Sequence, residues 1–209
     1  MRPGLLRQGL LRDIGDLTFE HLTLVVTAML IAIAIGVPLG VLLTRSTGLR
    51  RPVLGAANIL QTIPSLALFG FLIPIPFIGG IGPRTAIVAL VIYALLPILR
   101  NTLAGILGVD AAVRESAVAM GMTGLQILKE VELPLAARTI LAGIRVSTVT
   151  TIGTATIAAA VGAGGLGVFI FRGVASLDTV QILAGAIPAA CIALVSDGGL
   201  GWIERKLAA

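Results

Sequence analysis

Five stretches of this chain, at about residues 22–44, 53–76, 83–100, 139–162 and 179–201, run apolar with few interruptions by charge. Each is roughly 20 residues long, the length an α-helix needs to cross the hydrocarbon layer of a bilayer. A membrane β-barrel would show short segments of alternating polarity instead, and continuous apolar runs exclude it. Of the 209 residues 57% are hydrophobic and only 12% charged, more apolar surface than a soluble core of this size can cover. The expected fold is an all-α polytopic membrane protein with about five transmembrane helices, forming one transmembrane domain over residues 1–209 behind an N-terminal segment, 1–20. The stretch "RDIGDLTFEH" ahead of the first run is too polar for a cleavable signal. Cys191 falls inside an apolar run, as a buried inert thiol would.

Charge orients the spans. A net charge of +5 would point to nucleic acid in a soluble domain, but among membrane spans it carries topology, so no nucleic-acid partner is expected. If the loop around Glu115 is cytoplasmic, that side carries Arg45, Arg50, Arg51, Arg100, Arg114, Lys129, Arg138, Arg145, Arg205 and Lys206. The other side keeps Arg2, Arg7, Arg12, Arg84 and Arg172, which satisfies the positive-inside rule with the N-terminus outside. Leu6 and Leu10 share a helical face that could lie on the outer membrane surface, although Arg7 interrupts it.

The segment "DAAVRESAVAMGMTGLQILKEVELPLAAR", residues 110–138, is charged where the rest of the chain is not. Asp110 is placed to cap a short helix, Gly121 to end it in a left-handed turn, and Thr123 with Gln126 to open a second helix through a capping box. Pro134 is expected to keep that second helix from running smoothly into the next span. A solvated amphipathic connector accounts for these residues on physical grounds alone.

The pattern Glu115-Ser116-Ala117, three residues, Gly121, nine residues, then Val131-Glu132-Leu133-Pro134 resembles the EAA loop of ABC-importer permeases, E-A-A-x3-G-x9-I-x-L-P. Ser116 stands for the second-position alanine and Val131 for isoleucine. The strings "QTIPSLALFGFLIP", "YALLPILRNTLAGI", "IRVSTVTTIGTATIAAAVGAGGLG" and "ILAGAIPAA", in this order, resemble the osmoprotectant branch, which serves glycine betaine, choline or carnitine. The methionine-type permeases are the nearest rival. The resemblance implies a permease subunit of the bacterial cytoplasmic (inner) membrane, working as a homo- or heterodimer with a second permease subunit, an ATP-binding subunit and a substrate-binding protein. It implies no catalysis by this chain, and ATP and Mg bound by the partner ATPase. The cytoplasmic loop, about 101–138, would then be a coupling handle, with Glu115, Ser116, Ala117, Gly121, Leu133 and Pro134 as its coupling residues. Small side chains at Ala112, Ser116 and Ala119 would allow close docking. A passive channel or secondary transporter is the alternative from another class.

Other motifs carry less. Gly162, Gly164 and Gly167 match G-x-G-x-x-G but follow a helical span rather than a strand, so a tight turn with close backbone packing is the better reading. The chain has no Walker A string, and His21 is the only histidine. Polar residues within spans are glue between helices or the lining of a pathway. Ser147, Thr151 and Thr154 share one ridge of the fourth span and are the candidate pathway residues, with Gln61 and Ser65 of the second span as the facing stripe. Tyr93, the single tyrosine, offers one ring for cation–π contact with a quaternary ammonium.

Overall fold

A computed structural model describes the backbone of residues 3–207 and the side chains of residues 12–207. The stripe at Leu6 and Leu10 lies outside the described side chains. Among the described residues there is no strand. The helices are α1 (Pro3–Arg45), α2 (Thr47–Thr62), α3 (Ser65–Leu72), α4 (Pro83–Leu107), α5 (Ala111–Ala119), α6 (Gly124–Gln126), α7 (Leu133–Ala155), α8 (Gly167–Ser176) and α9 (Thr179–Lys206). A π-helical segment, Ile127–Glu132, joins α6 to α7, and a 3-10 turn, Ile157–Val161, follows α7.

Four helical stretches are long and apolar enough to cross a membrane: Arg12–Arg45, Pro83–Leu107, Gly124–Ala155 and Thr179–Lys206. α4 is the most buried of them and lies between α1 and α7. Close approach of these three helices depends on small residues, because lipid offers no hydrophobic drive for helix association and backbone proximity must supply the contact. A Cβ on Gly40 of α1 would come within 2.7 Å of Thr102, and one on Gly143 of α7 within 2.5 Å of Asn101, both on α4. α9 is the least buried span and packs on α7 and α8. Cys191 lies exposed on α9, which corrects the expectation of a buried thiol.

The expected second span is not one straight helix. α2 and α3 are bent by 102° at Pro64. Proline brings no N–H and forces the preceding residue out of the helical region, and Ile63 is extended at φ −68, ψ 127. In lipid the freed backbone groups need partners from within the protein. Tyr93 of α4 supplies one, its hydroxyl donating to the Ile63 carbonyl, and its own carbonyl accepts from the Gln61 side chain, Nε2, at 3.0 Å, which ties α2 to α4 at the break. The tyrosine is thus engaged in holding a helix break, and its hydroxyl is not free for a ligand.

Two other boundaries move. α4 continues past residue 100 to Leu107. The helix that Pro134 was expected to keep from running smoothly into the next span is continuous from Gly124 to Ala155, with a π-helical segment just before the proline. The π segment explains the difference: Leu133 N–H bonds back to the Leu128 carbonyl, five residues away, and the wider turn gives the Pro134 ring room beside the preceding turn. Asp178 caps α9 through the Val180 N–H at 2.9 Å.

Replacing Tyr93 with phenylalanine leaves the Ile63 carbonyl without its partner at a similar side-chain volume. Tyr93→Phe should therefore destabilise the detergent-solubilised protein by about 1 kcal/mol. Thermal unfolding measures this directly, and an unchanged midpoint would show that the break is satisfied some other way.

Candidate functional site

The charged end of the bundle gathers the C-terminus of α1, α5, the π segment and the C-terminal part of α9. Ion pairs bring them together: Arg45 with Glu132, Arg114 with Glu132, and Arg138 with Glu204. The glycine-rich turn after α7 lies at the other end, against the start of the apolar part of α1.

α5 is built by local chemistry. Asp110 accepts from the Ala112 N–H at 2.9 Å and caps the first turn. Its last turn closes with Met122 N–H to the Ala117 carbonyl at 3.1 Å and Gly121 N–H to the Val118 carbonyl at 2.9 Å, a Schellman motif. Gly121 adopts φ +80, the left-handed conformation the sequence predicts for it. Thr123 and Gln126 then form a reciprocal capping box, with the Thr123 N–H donating to Gln126 Oε1 at 2.8 Å.

This helix shows most of its surface. Glu115 and Ser116 are exposed, as are Ala112 and Ala119, while Ala117 is buried and α5 rests on the π segment. Ser116 Oγ is turned back to the Ala112 carbonyl at 2.8 Å. Val118 and Met120 are 61% and 75% exposed. They leave apolar side chains bared on a charged, capped loop outside the apolar spans. Beyond the turn, Leu133 packs with Ile106, Ala136 and Ile140, and Pro134 is exposed at the start of α7.

The ion pairs of two charged residues at this end, Glu132 and Arg145, were not read from the sequence. Glu132 is 1% exposed, with Arg45 Nη2 at 2.5 Å and Arg114 Nε at 3.1 Å from its oxygens. The signal was present: Glu132, Ala136, Ile140, Gly143, Ser147 and Thr151 follow at helical spacing, all buried, so a carboxylate on that stripe had to have partners. Arg145 lies two helical turns beyond Arg138 on α7, and both arginines reach Glu204. It grips Asp197 of α9 through two contacts of 2.7 Å, and its Nη1 reaches Glu204 at 3.2 Å. These pairs couple α7 to α9.

The proposed pathway ridge divides. Ser147 is fully buried and donates to the Ala94 carbonyl of α4 at 2.9 Å, and Thr151 is 1% exposed with a buried hydroxyl that has no hydrogen-bond partner. Both are packed inside the helix bundle of this chain, Ser147 with a partner on α4 and Thr151 without one. Thr154, Gln61 and Ser65 keep partial exposure. Thr154 returns its hydroxyl to the Thr150 carbonyl at 2.9 Å.

The G-x-G-x-x-G stretch is a backbone turn. Gly162, Gly164 and Gly165 have φ of +72, +80 and +77, and the Gly165 N–H donates to Glu20 Oε2 of α1 at 3.0 Å. A Cβ on Gly164 would stand 2.3 Å from the same oxygen. His21 Nε2 lies 3.2 Å from the Ile152 carbonyl beside it.

An all-helical membrane core with a capped handle at its charged end is the build of a transport permease. The chain belongs to the family of binding-protein-dependent transport system inner membrane components, whose profile matches residues 32–209. It is 48% identical over 190 residues to the carnitine transport permease protein OpuCB of Listeria monocytogenes, covering 91% of this chain and 86% of that protein. It is 45% identical over 196 residues to the osmoprotectant import permease protein OsmW of Salmonella typhimurium, covering 93% and 89%. Among solved structures, an inward-facing MetNI methionine ABC transporter superposes with a TM-score of 0.83 at 25% identity, over 99% of each chain.

A buried hydroxyl without a partner favours an apolar replacement of the same shape. Thr151→Val should keep or raise thermal stability and leave transport intact, whereas Ser147→Ala should lower stability by breaking the bond to α4. An intact, well-assembled Thr151→Val protein that has lost transport would return Thr151 to the pathway.

Proposed function

We propose that this chain is the membrane-spanning permease of an ATP-driven importer for small quaternary-amine osmoprotectants such as glycine betaine, choline or carnitine. The observation that carries the reading is α5, a stiff, doubly capped helix presenting Glu115, Ser116, Val118 and Met120 at the charged end of an apolar bundle. In this reading α5 docks on a separate ATP-binding subunit, which holds ATP and Mg. Glu115, Ser116 and Ala117 form the docking helix, and Gly121 sets its exit angle. Leu133 and Pro134 carry its movement into α7. A second permease subunit, identical or related, completes the translocation path, and a substrate-binding protein delivers the solute on the opposite face.

The substrate class rests on the relatives. Those at 45–48% identity bear the names of carnitine and osmoprotectant permeases, while the methionine transporter that shares the fold is only 25% identical. With only 4% aromatic residues the chain has little material for an aromatic cage, and high-affinity capture is assigned to the binding protein. Thr154, Gln61 and Ser65 are the candidate residues along the route, where weak and replaceable polar contacts suit a moving zwitterion. A passive channel gains nothing from an exposed docking helix, which favours the coupled reading.

Uptake of labelled choline, carnitine and glycine betaine, measured in cells with and without this chain, tests the proposal. Loss of uptake of at least one of them on deletion, without relief or competition by methionine, is the expected result. Loss of methionine uptake alone would contradict it. Within the same assay Gly121→Val forces a branched side chain into a left-handed turn, at about 1–2 kcal/mol. Uptake should fall roughly tenfold and the ATPase should co-purify less well, while membrane insertion is retained. Full uptake by a well-expressed Gly121→Val protein would remove α5 from the coupling route.

A further inference from the structure

Glu132 stands where segments distant in sequence meet. One carboxylate oxygen contacts Arg45, the last residue of α1, and the other contacts Arg114 in the middle of α5. Arg114 also donates through Nη2 to the Ile106 carbonyl, in the last turn of α4. Glu132 itself ends the π segment that opens into α7. We propose that Glu132, held between Arg114 and Arg45, is the positioning residue that carries movement of α5 into α1 as well as α7. This inference rests on the coupling role proposed for α5.

The physical case begins with how weakly α5 is otherwise attached. Ala117 is its only buried residue. Its side-chain hydrogen bonds from Asp110 and Ser116 are spent within the helix itself, on the Ala112 N–H and the Ala112 carbonyl. The chain connects α5 to α4 on one side and to α6 on the other, so its covalent links reach α1 only by way of other helices. The ionic contacts through Glu132 are its direct side-chain tie to α1.

Burial makes that tie firm. The Glu132 side chain is 2% exposed, so an arginine that moves away leaves a poorly solvated carboxylate behind. Removing one partner of a buried ion pair leaves an uncompensated charge, which is why such pairs move together rather than part. Arg45 is half-exposed and approaches from the outside, and Arg114 closes the other edge. Arginine suits both places because its planar fork can contact the carboxylate and still offer further donors, as Arg114 does to Ile106. A clasp that served stability alone would need no second arm to α1.

The test is the ratio of solute imported to ATP hydrolysed, in proteoliposomes holding the complete transporter and its loaded binding protein. The solute is whichever of choline, carnitine or glycine betaine the unaltered complex imports. Glu132→Gln keeps the volume and removes the charge, and the ratio should fall at least fivefold. Arg45→Gln cuts only the arm to α1 at a half-exposed site, and should lower the ratio similarly while the ATPase still co-purifies. Arg45→Lys, which keeps the charge, should restore most of it. A merely structural role would change yield and melting temperature but leave the ratio alone. Should Glu132→Gln fail to fold, Arg45→Gln decides the matter. An unaltered ratio in Arg45→Gln, in a preparation where Gly121→Val is still uncoupled, would overturn the clasp and leave the coupling helix standing. If Gly121→Val also kept the full ratio, the coupling reading itself would fall.

Discussion

Every backbone N–H and carbonyl of a chain in lipid has to find its partner within the protein, and the architecture here follows from that requirement. It makes the spans helical, and it makes each departure from the helix conditional on a replacement donor or acceptor. At the Pro64 break the replacement is Tyr93, which serves Gln61 and Ile63 from α4. In the glycine-rich turn it is Glu20, which accepts the Gly165 N–H from α1. At Pro134 the helix itself adjusts, by widening into a π turn. In each case a polar side chain or a change of helical pitch supplies the partner or the room that the regular helix would not.

The same bundle has two chemically different ends. One is closed by backbone turns, with Gly82 N–H on the Val161 carbonyl at 2.8 Å and the turn at Gly162–Gly165 laid against α1. The other is bound by charge, through Glu132, Glu204 and their arginines. Small residues let α1, α4 and α7 approach closely between these ends, which makes them one packed unit. α9 packs against that unit more openly, and the Arg145–Asp197 pair fixes its register on α7. A push delivered at the charged end therefore meets a stiff core rather than a set of independent helices.

What the sequence disclosed was what is local. The Asp110 cap, the left-handed Gly121 and the Thr123–Gln126 box depend on neighbours a few residues away, so α5 and its turn could be read from spacing. The family resemblance rests on those same residues and on ordered strings along the spans. Tertiary facts were harder. Apolar composition passes through Pro64 without a change, so the break between α2 and α3 was invisible to a reading by hydropathy. Helical periodicity correctly grouped Ser147 with Thr151, but it does not say whether a polar face meets another helix or a solute, and here it meets α4. Glu132 and Asp197 were overlooked because each finds its arginine far away in sequence, across a helix interface.

The central claim is that α5 is the surface on which an ATP-binding subunit docks. In a Cys191→Ser background, Val118→Cys places a thiol on the exposed face of α5 and Phe77→Cys places one on the exposed loop between α3 and α4, at the other end of the bundle. A short bifunctional thiol cross-linker, applied to membranes containing the co-expressed ATP-binding subunit, measures which end that subunit occupies. The account predicts a cross-linked product from position 118 and none from position 77. A product from position 77, or none from 118 in a complex that co-purifies intact, would contradict it.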